Sequence, residues 1–171
     1  MLSFLTPTII FPTLLLAVGL SDDLHRKKVS NKLIILLMGI TLVYVLVYFG
    51  LPGIKQALLA GVCAFILTFP LFLARILGGG DVKLFFIFAF ATLSPTAALW
   101  TLIFSVICGS VLGLLQIIFA GELKSLLNNL FGIITFNKVE GIKLHSIPYT
   151  AALLLGWMTY VTFSLTKGAV L

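Results

Sequence analysis

Residues 56–85 read QALLAGVCAFILTFPLFLARILGGGDVKLF. The apolar part, roughly 56–76, is long enough at about 1.5 Å per residue to cross a bilayer as a helix. It stops at three glycines, an aspartate and a lysine. A chain that otherwise avoids charge places a carboxylate, Asp81, directly behind residues that hold a helix poorly. What the apolar run is decides the fold, and what Asp81 meets decides the function.

The rest of the chain has the same texture. Of 171 residues, 61% are hydrophobic and 9% charged, whereas soluble domains carry about 25% charged residues. Mean hydropathy is +1.24. There is too little polar surface to cover a water-soluble globule, so the chain reads as an integral membrane protein. Four more apolar runs, near 4–20, 33–50, 97–120 and 147–165, have spanning length. A shorter one, near 82–94, would make a sixth span. The runs are continuous rather than alternating, which points to an all-α polytopic protein and against a β-barrel. The first run does not read as a signal peptide, because no basic residue precedes it and Pro7 and Pro12 interrupt it. With no repeats, low-complexity tracts or long linkers, residues 1–171 read as one domain. Cys63 and Cys108 each fall inside a span without a CxxC pair, so neither a disulfide framework nor a metal site is expected.

Charge placement orients the spans. Arg26, Lys27, Lys28, Lys32, Arg75, Lys83, Lys124, Lys138 and Lys143 fall on one face, and of the 11 cations only Lys55 and Lys167 fall on the other. The positive-inside rule assigns the crowded face to the cytoplasm and both termini to the outside. Nucleic acid is not an expected partner, because no basic groove is interleaved with aromatics. In ELKSLLNNLF, residues 122–131, apolar side chains at 123, 126, 127, 130 and 131 describe an amphipathic helix lying in the interface.

Five acidic residues are present. Glu122 and Glu140 lie in the last cytoplasmic loop, where solvation explains them. Asp22 and Asp23 close the first span and Asp81 follows the third, so two crossings separate them and they must face the same side. Ionisable groups bordering spans are costly and rarely face lipid. Two carboxylates brought close cannot both ionise, and one keeps a proton. The ionised member can then take a proton from water attacking a peptide carbonyl while the other protonates the oxyanion. On that view Gly78, Gly79 and Gly80 free the backbone for an unwound, closely approached access point. The plainer alternative is a glycine-rich break with Asp81 as a helix cap and Asp22 and Asp23 as ordinary juxtamembrane acids.

Read whole, the local sequences tip this balance. GGGDVKL resembles the GxGD motif of the membrane aspartic proteases in the form found in type IV prepilin peptidases. SDDLHRKKVSNKL resembles the first-aspartate region of that family, with Asp23 and Asn31 at the family's spacing of eight. SIPYTAALLLGWM is similar to its late segment. The resemblance is closest to the short peptidase-only form, like those of tight-adherence (Flp) pilus systems, and implies no methyltransferase activity. It implies that Asp23 and Asp81 are catalytic and that Gly78 and Gly80 are the motif glycines. Lys83, Asn31, Pro148 and Tyr149 are candidates for substrate-access or supporting roles, with snorkelling the plainer role for Lys83 and the start of the last helix the plainer one for Pro148 and Tyr149. Two features depart from the pattern: Val29-Ser30-Asn31 lacks the family's proline, and the doubled aspartate leaves Asp22 a rival to Asp23.

The expected activity is removal of leader peptides from prepilin or pilin-like precursors at the cytoplasmic face of a bacterial inner membrane. Water is the nucleophile, so neither a cofactor nor a metal is expected. Partners would be the precursors, membrane lipid and pilus or secretion assembly machinery. Two rival readings use the same residues: an ion- or proton-coupled transporter, and a non-catalytic pilus-assembly scaffold in which each aspartate merely caps a helix or pairs with Arg26 or Lys83.

Overall fold

Gly50 is where the longest apolar stretch turns back on itself. In the computed structural model, which describes residues 2–26, 30–121 and 149–166, the regular elements are all helices. They are α1 (Leu2–Arg26), α2 (Asn31–Leu73), α3 (Gly79–Thr92), α4 (Pro95–Phe119) and α5 (Tyr149–Thr166). A straight helix of α2's 43 residues would be about 65 Å long, twice the hydrocarbon thickness. Gly50 prevents this with φ 64 and ψ −162, a conformation that glycine adopts without steric cost. Beyond the break, Gly53 lies against Phe49 with no room for a side chain. The two limbs then run side by side. Val45 and Ala57 share a buried cluster with Phe90, and Ile34, Ile35 and Met38 line one cavity together with Phe65. The hairpin therefore returns residues 74–81 to the end from which α2 set out, as the two-crossing reading requires.

Among the described residues, three segments are long and apolar enough to cross a membrane: Pro7–Arg26, Asn31–Leu73 and Pro95–Phe119. Their outer surfaces stay apolar, with Ile35 73% and Leu51 74% exposed, as expected of faces solvated by lipid rather than water. The short segment expected near 82–94 does form a helix, but α3 has 14 residues and reaches only about 21 Å. It is the enclosed element of the bundle. Leu84, Phe85, Ile87, Phe88, Ala89, Phe90 and Ala91 are all buried, the pattern of a helix that is apolar all round because protein surrounds it. Phe88 meets Trp157 of α5 edge-on at 5.1 Å, a contact of about 1 kcal/mol beyond its area.

Leu93 ends α3 in the left-handed region at φ 56. Ser94 then caps α4, accepting from Ala97 N at 3.2 Å, with Pro95 in the first turn, where its missing N–H costs nothing. α4 and α5 run antiparallel and very close. A Cβ on Gly156 would lie 2.7 Å from Ser105 Cα, and one on Gly109 would lie 3.3 Å from Ala152. This is small-residue packing of the kind that drives helix association in lipid. The amphipathic helix expected at 122–131 and the residues His145 and Pro148 lie outside the described residues.

Candidate active site

Adjacent in sequence, Asp22 and Asp23 point in different directions, about 100° apart on the helix. Asp22 closes the corner between α1 and α2. Its Oδ1 pairs with Arg26 Nε at 3.0 Å, and its Oδ2 accepts from Ser30 N, eight residues on, at 2.8 Å. Ser30 in turn caps α2, accepting from Leu33 N at 3.3 Å. A proline is thus not needed to organise the start of α2; a serine cap does it. Asp23 turns inward and is only 7% exposed. Its Oδ2 accepts from the Thr150 hydroxyl, in the first turn of α5, at 2.9 Å.

Asp81 is held by its own turn. Gly78 is the N-cap of α3, with φ −74 and ψ 151, and Asp81 is the third helical residue. Asp81 Oδ2 accepts from Gly78 N at 3.2 Å, the reciprocal half of a capping box. Asp81 is therefore a cap, yet it also lies within the field of Asp23. Burial, first, and the charge of Asp23, second, push its carboxyl up to about 6, against the pull of the Gly78 N–H. A carboxyl raised toward neutrality in this way, within the field of a second carboxylate, has the properties that acid–base catalysis needs.

The glycines behave differently from the expectation of an unwound stretch. Gly79 and Gly80 form the first turn of α3, and Gly78 keeps a negative φ that any residue could adopt. The left-handed conformation falls on Arg75, with φ 59, just past the end of α2. Gly78 is special for space instead: a Cβ there would lie 3.0 Å from Asp81 Oδ2 and crowd the carboxylate.

Lys83 does not reach freely toward the interface. Its Nζ donates to Asn31 Oδ1 at 3.1 Å, tying the first residue of α2 to α3 on the exposed side. Lys83 and Asn31 are thus brought together as a pair. The Tyr149 hydroxyl shares a 3.2 Å hydrogen bond with Ser105 Oγ and lies within the electrostatic reach of Asp81. Trp157, also on α5, donates from Nε1 to Thr13 Oγ1 of α1 at 2.8 Å, and at 1% exposure it is a core residue. Among the described residues no group of three His, Cys, Asp or Glu could hold a metal.

Thr150 is the site residue that sequence reasoning passes over. In PYTAALLL it reads as one more small residue opening an apolar helix. Its only signal is position: it begins the last span on the side where the aspartates stand.

A family model described as the type IV leader peptidase family matches residues 9–115. That stretch contains Asp23, Asn31, Gly78, Gly80, Asp81 and Lys83, and ends before Tyr149 and Thr150. Searches of curated proteins and of solved structures return no match.

Proposed function

The chain belongs to the type IV leader peptidase family, and on that premise we propose that it is a membrane aspartic endopeptidase that cuts the leader from prepilin or pilin-like precursors, with Asp23 and Asp81 as its catalytic pair. One observation carries the reading: burial, first, and the charge of the buried Asp23 from α1, second, raise the proton affinity of Asp81 at the start of α3. In the proposed reaction the ionised member removes a proton from water as the water attacks the scissile carbonyl. The protonated member donates to the developing oxyanion, and the proton is then relayed to the leaving amine. Burial and the neighbouring charge favour the protonated form of Asp81, which makes it the better suited of the two to carry the shared proton.

The membrane setting belongs to the same proposal. Six crossings, counting the two limbs of α2 and the short α3, put both termini outside and the aspartates at the inner headgroup level of a bacterial inner membrane. An interfacial helix at 122–131 would lie beside them. A precursor whose cleavage site precedes its own apolar helix presents the scissile bond at that depth. Asn31 and Lys83 support the juncture of α2 and α3, while Tyr149 and Pro148 border substrate access. Pilus or secretion assembly machinery would receive the product. No methyl transfer is part of the proposal.

The test is cleavage in membranes of a co-expressed pilin-like precursor from the same genome, comparing wild type with Asp23→Ala and Asp81→Ala at matched expression. Loss of the size shift in both variants supports the pair. An uncut precursor with wild type, across every pilin-like substrate offered, sinks the proposal.

A further inference from the structure

The last helix contributes to the aspartate pair although it lies beyond the region that the family comparison covers. Thr150 is fully buried and Asp23 is 7% exposed, so their 2.9 Å bond is shielded from competing water. A hydroxyl donating to a buried carboxylate contributes more than a neutral pair does, and leaving such a carboxylate without it costs the full desolvation of the charge. Among the described residues Thr150 is the one hydrogen-bond donor to Asp23.

The hydroxyl is also held rigidly. Next to it, Tyr149 is anchored to Ser105 of α4 at 3.2 Å. One to two turns on, Gly156 packs against the Ser105 backbone so tightly that a Cβ would lie 2.7 Å from Ser105 Cα. On the other side, Trp157 fastens α5 to Thr13 of α1 at 2.8 Å. The first turn of α5 is therefore fixed against both α4 and α1. Within that turn, Thr150 grips Asp23. A side chain locked by neighbours on both sides is what holds a catalytic group in its productive rotamer.

We propose that Thr150 is a positioning residue of the pair, its hydroxyl fixing Asp23 Oδ2 so that the carboxylate keeps one orientation toward Asp81 and the bound peptide. This rests on the reading of Asp23 and Asp81 as the peptidase pair.

The experiment uses the purified full-length chain in lipid nanodiscs, with a prepilin-like precursor as substrate and four forms: wild type, Thr150→Val, Thr150→Ser and Asp23→Asn. Valine keeps the shape and removes the hydroxyl. The expected result is a fall in kcat of about 10- to 100-fold for Thr150→Val, with KM within about twofold and most of the rate restored in Thr150→Ser. Thr150→Val turning over at the wild-type rate overturns the proposal. So does Thr150→Ser losing as much as Thr150→Val, since the side chain would then act through packing. Infrared difference spectra of 13C-aspartate-labelled protein give a readout independent of cleavage. Thr150→Val minus wild type should show a shifted carboxylate band that vanishes when the same difference is taken in the Asp23→Asn background. If wild type leaves the precursor uncut, the peptidase reading falls, and the infrared difference alone decides whether Thr150 holds Asp23. If that band is absent, the proposal fails whatever the kinetics show.

Discussion

The two carboxylates of the proposed pair are held in opposite ways. Asp81 is supported from three residues away, by Gly78 of its own turn. Asp23 is supported from 127 residues away, by Thr150 of the last helix. A local support can be read from a short motif and survives whatever the rest of the chain does. A distant one exists only when α1, α4 and α5 are all packed. The pair thus combines one autonomous half with one that depends on the whole bundle.

The largest expected effect tests whether the halves are equal in function. Asp23→Asn and Asp81→Asn should each lower precursor cleavage at least about 10³-fold, and the double variant should be no worse than either, since groups acting as a unit do not add. A substantial residual rate in one of them alone, measured by precursor turnover in membranes, would break the symmetry.

The next effect concerns the local half. Gly78→Ala must push its methyl toward Asp81 Oδ2, where the gap is 3.0 Å. Displacing the carboxylate by a few tenths of an ångström should cost about tenfold in kcat, with the thermal transition little changed because the φ at residue 78 suits alanine. An unchanged kcat would mean that Asp81 yields without penalty.

pH separates the stability of the site from its activity. Because the Asp81 carboxyl is raised from 3.8 to about 6, the folded protein binds more protons than the unfolded chain between those values. Stability therefore falls as pH rises through that window and stays lower above it. Asp81→Asn should unfold at higher temperature than wild type at pH 7.5, by the equivalent of about 1–2 kcal/mol once partial exposure is allowed for. The advantage should disappear near pH 4. Thermal scans in detergent at the two pH values check this; an advantage that is equal at both would remove the titration from the explanation.

The smallest effect is expected at the neighbour of Asp23. Asp22→Ala should leave cleavage within about threefold of wild type while lowering the unfolding temperature by a few degrees, because it loses the Ser30 N–H and Arg26 contacts. A loss as deep as that of Asp23→Asn would exchange their roles.

Particular residues show how far the sequence could be read. The apolar runs located α1, both limbs of α2, α4 and α5 because lipid demands continuous apolar length, and that demand leaves its mark in composition. The eight-residue register to Asn31 favoured Asp23 over Asp22, and of the two it is Asp23 that is buried and accepts from Thr150. Of the two properties expected of the glycines, unwinding is absent, since Gly79 and Gly80 are helical and the left-handed residue of this stretch is Arg75, whereas closeness is what Gly78 supplies beside Asp81. Thr150 was illegible for a simpler reason. A hydrogen bond across 127 residues has no period, and a threonine in an apolar helix has many plainer uses, such as bonding back to its own turn. Asn31 and Lys83 were each singled out alone, and their bond to each other depends on α2 doubling back at Gly50.

That bond from Thr150 has a consequence in time. At roughly 5–20 residues per second, the 127 residues between Asp23 and Thr150 occupy a ribosome for on the order of ten seconds. Once Asp81 is made the nascent chain carries both aspartates, but until residue 150 it lacks the hydroxyl that grips Asp23. The hydroxyl arrives only with α5, so a chain truncated after α4 would enter the membrane with both aspartates present and Asp23 without its Thr150 bond.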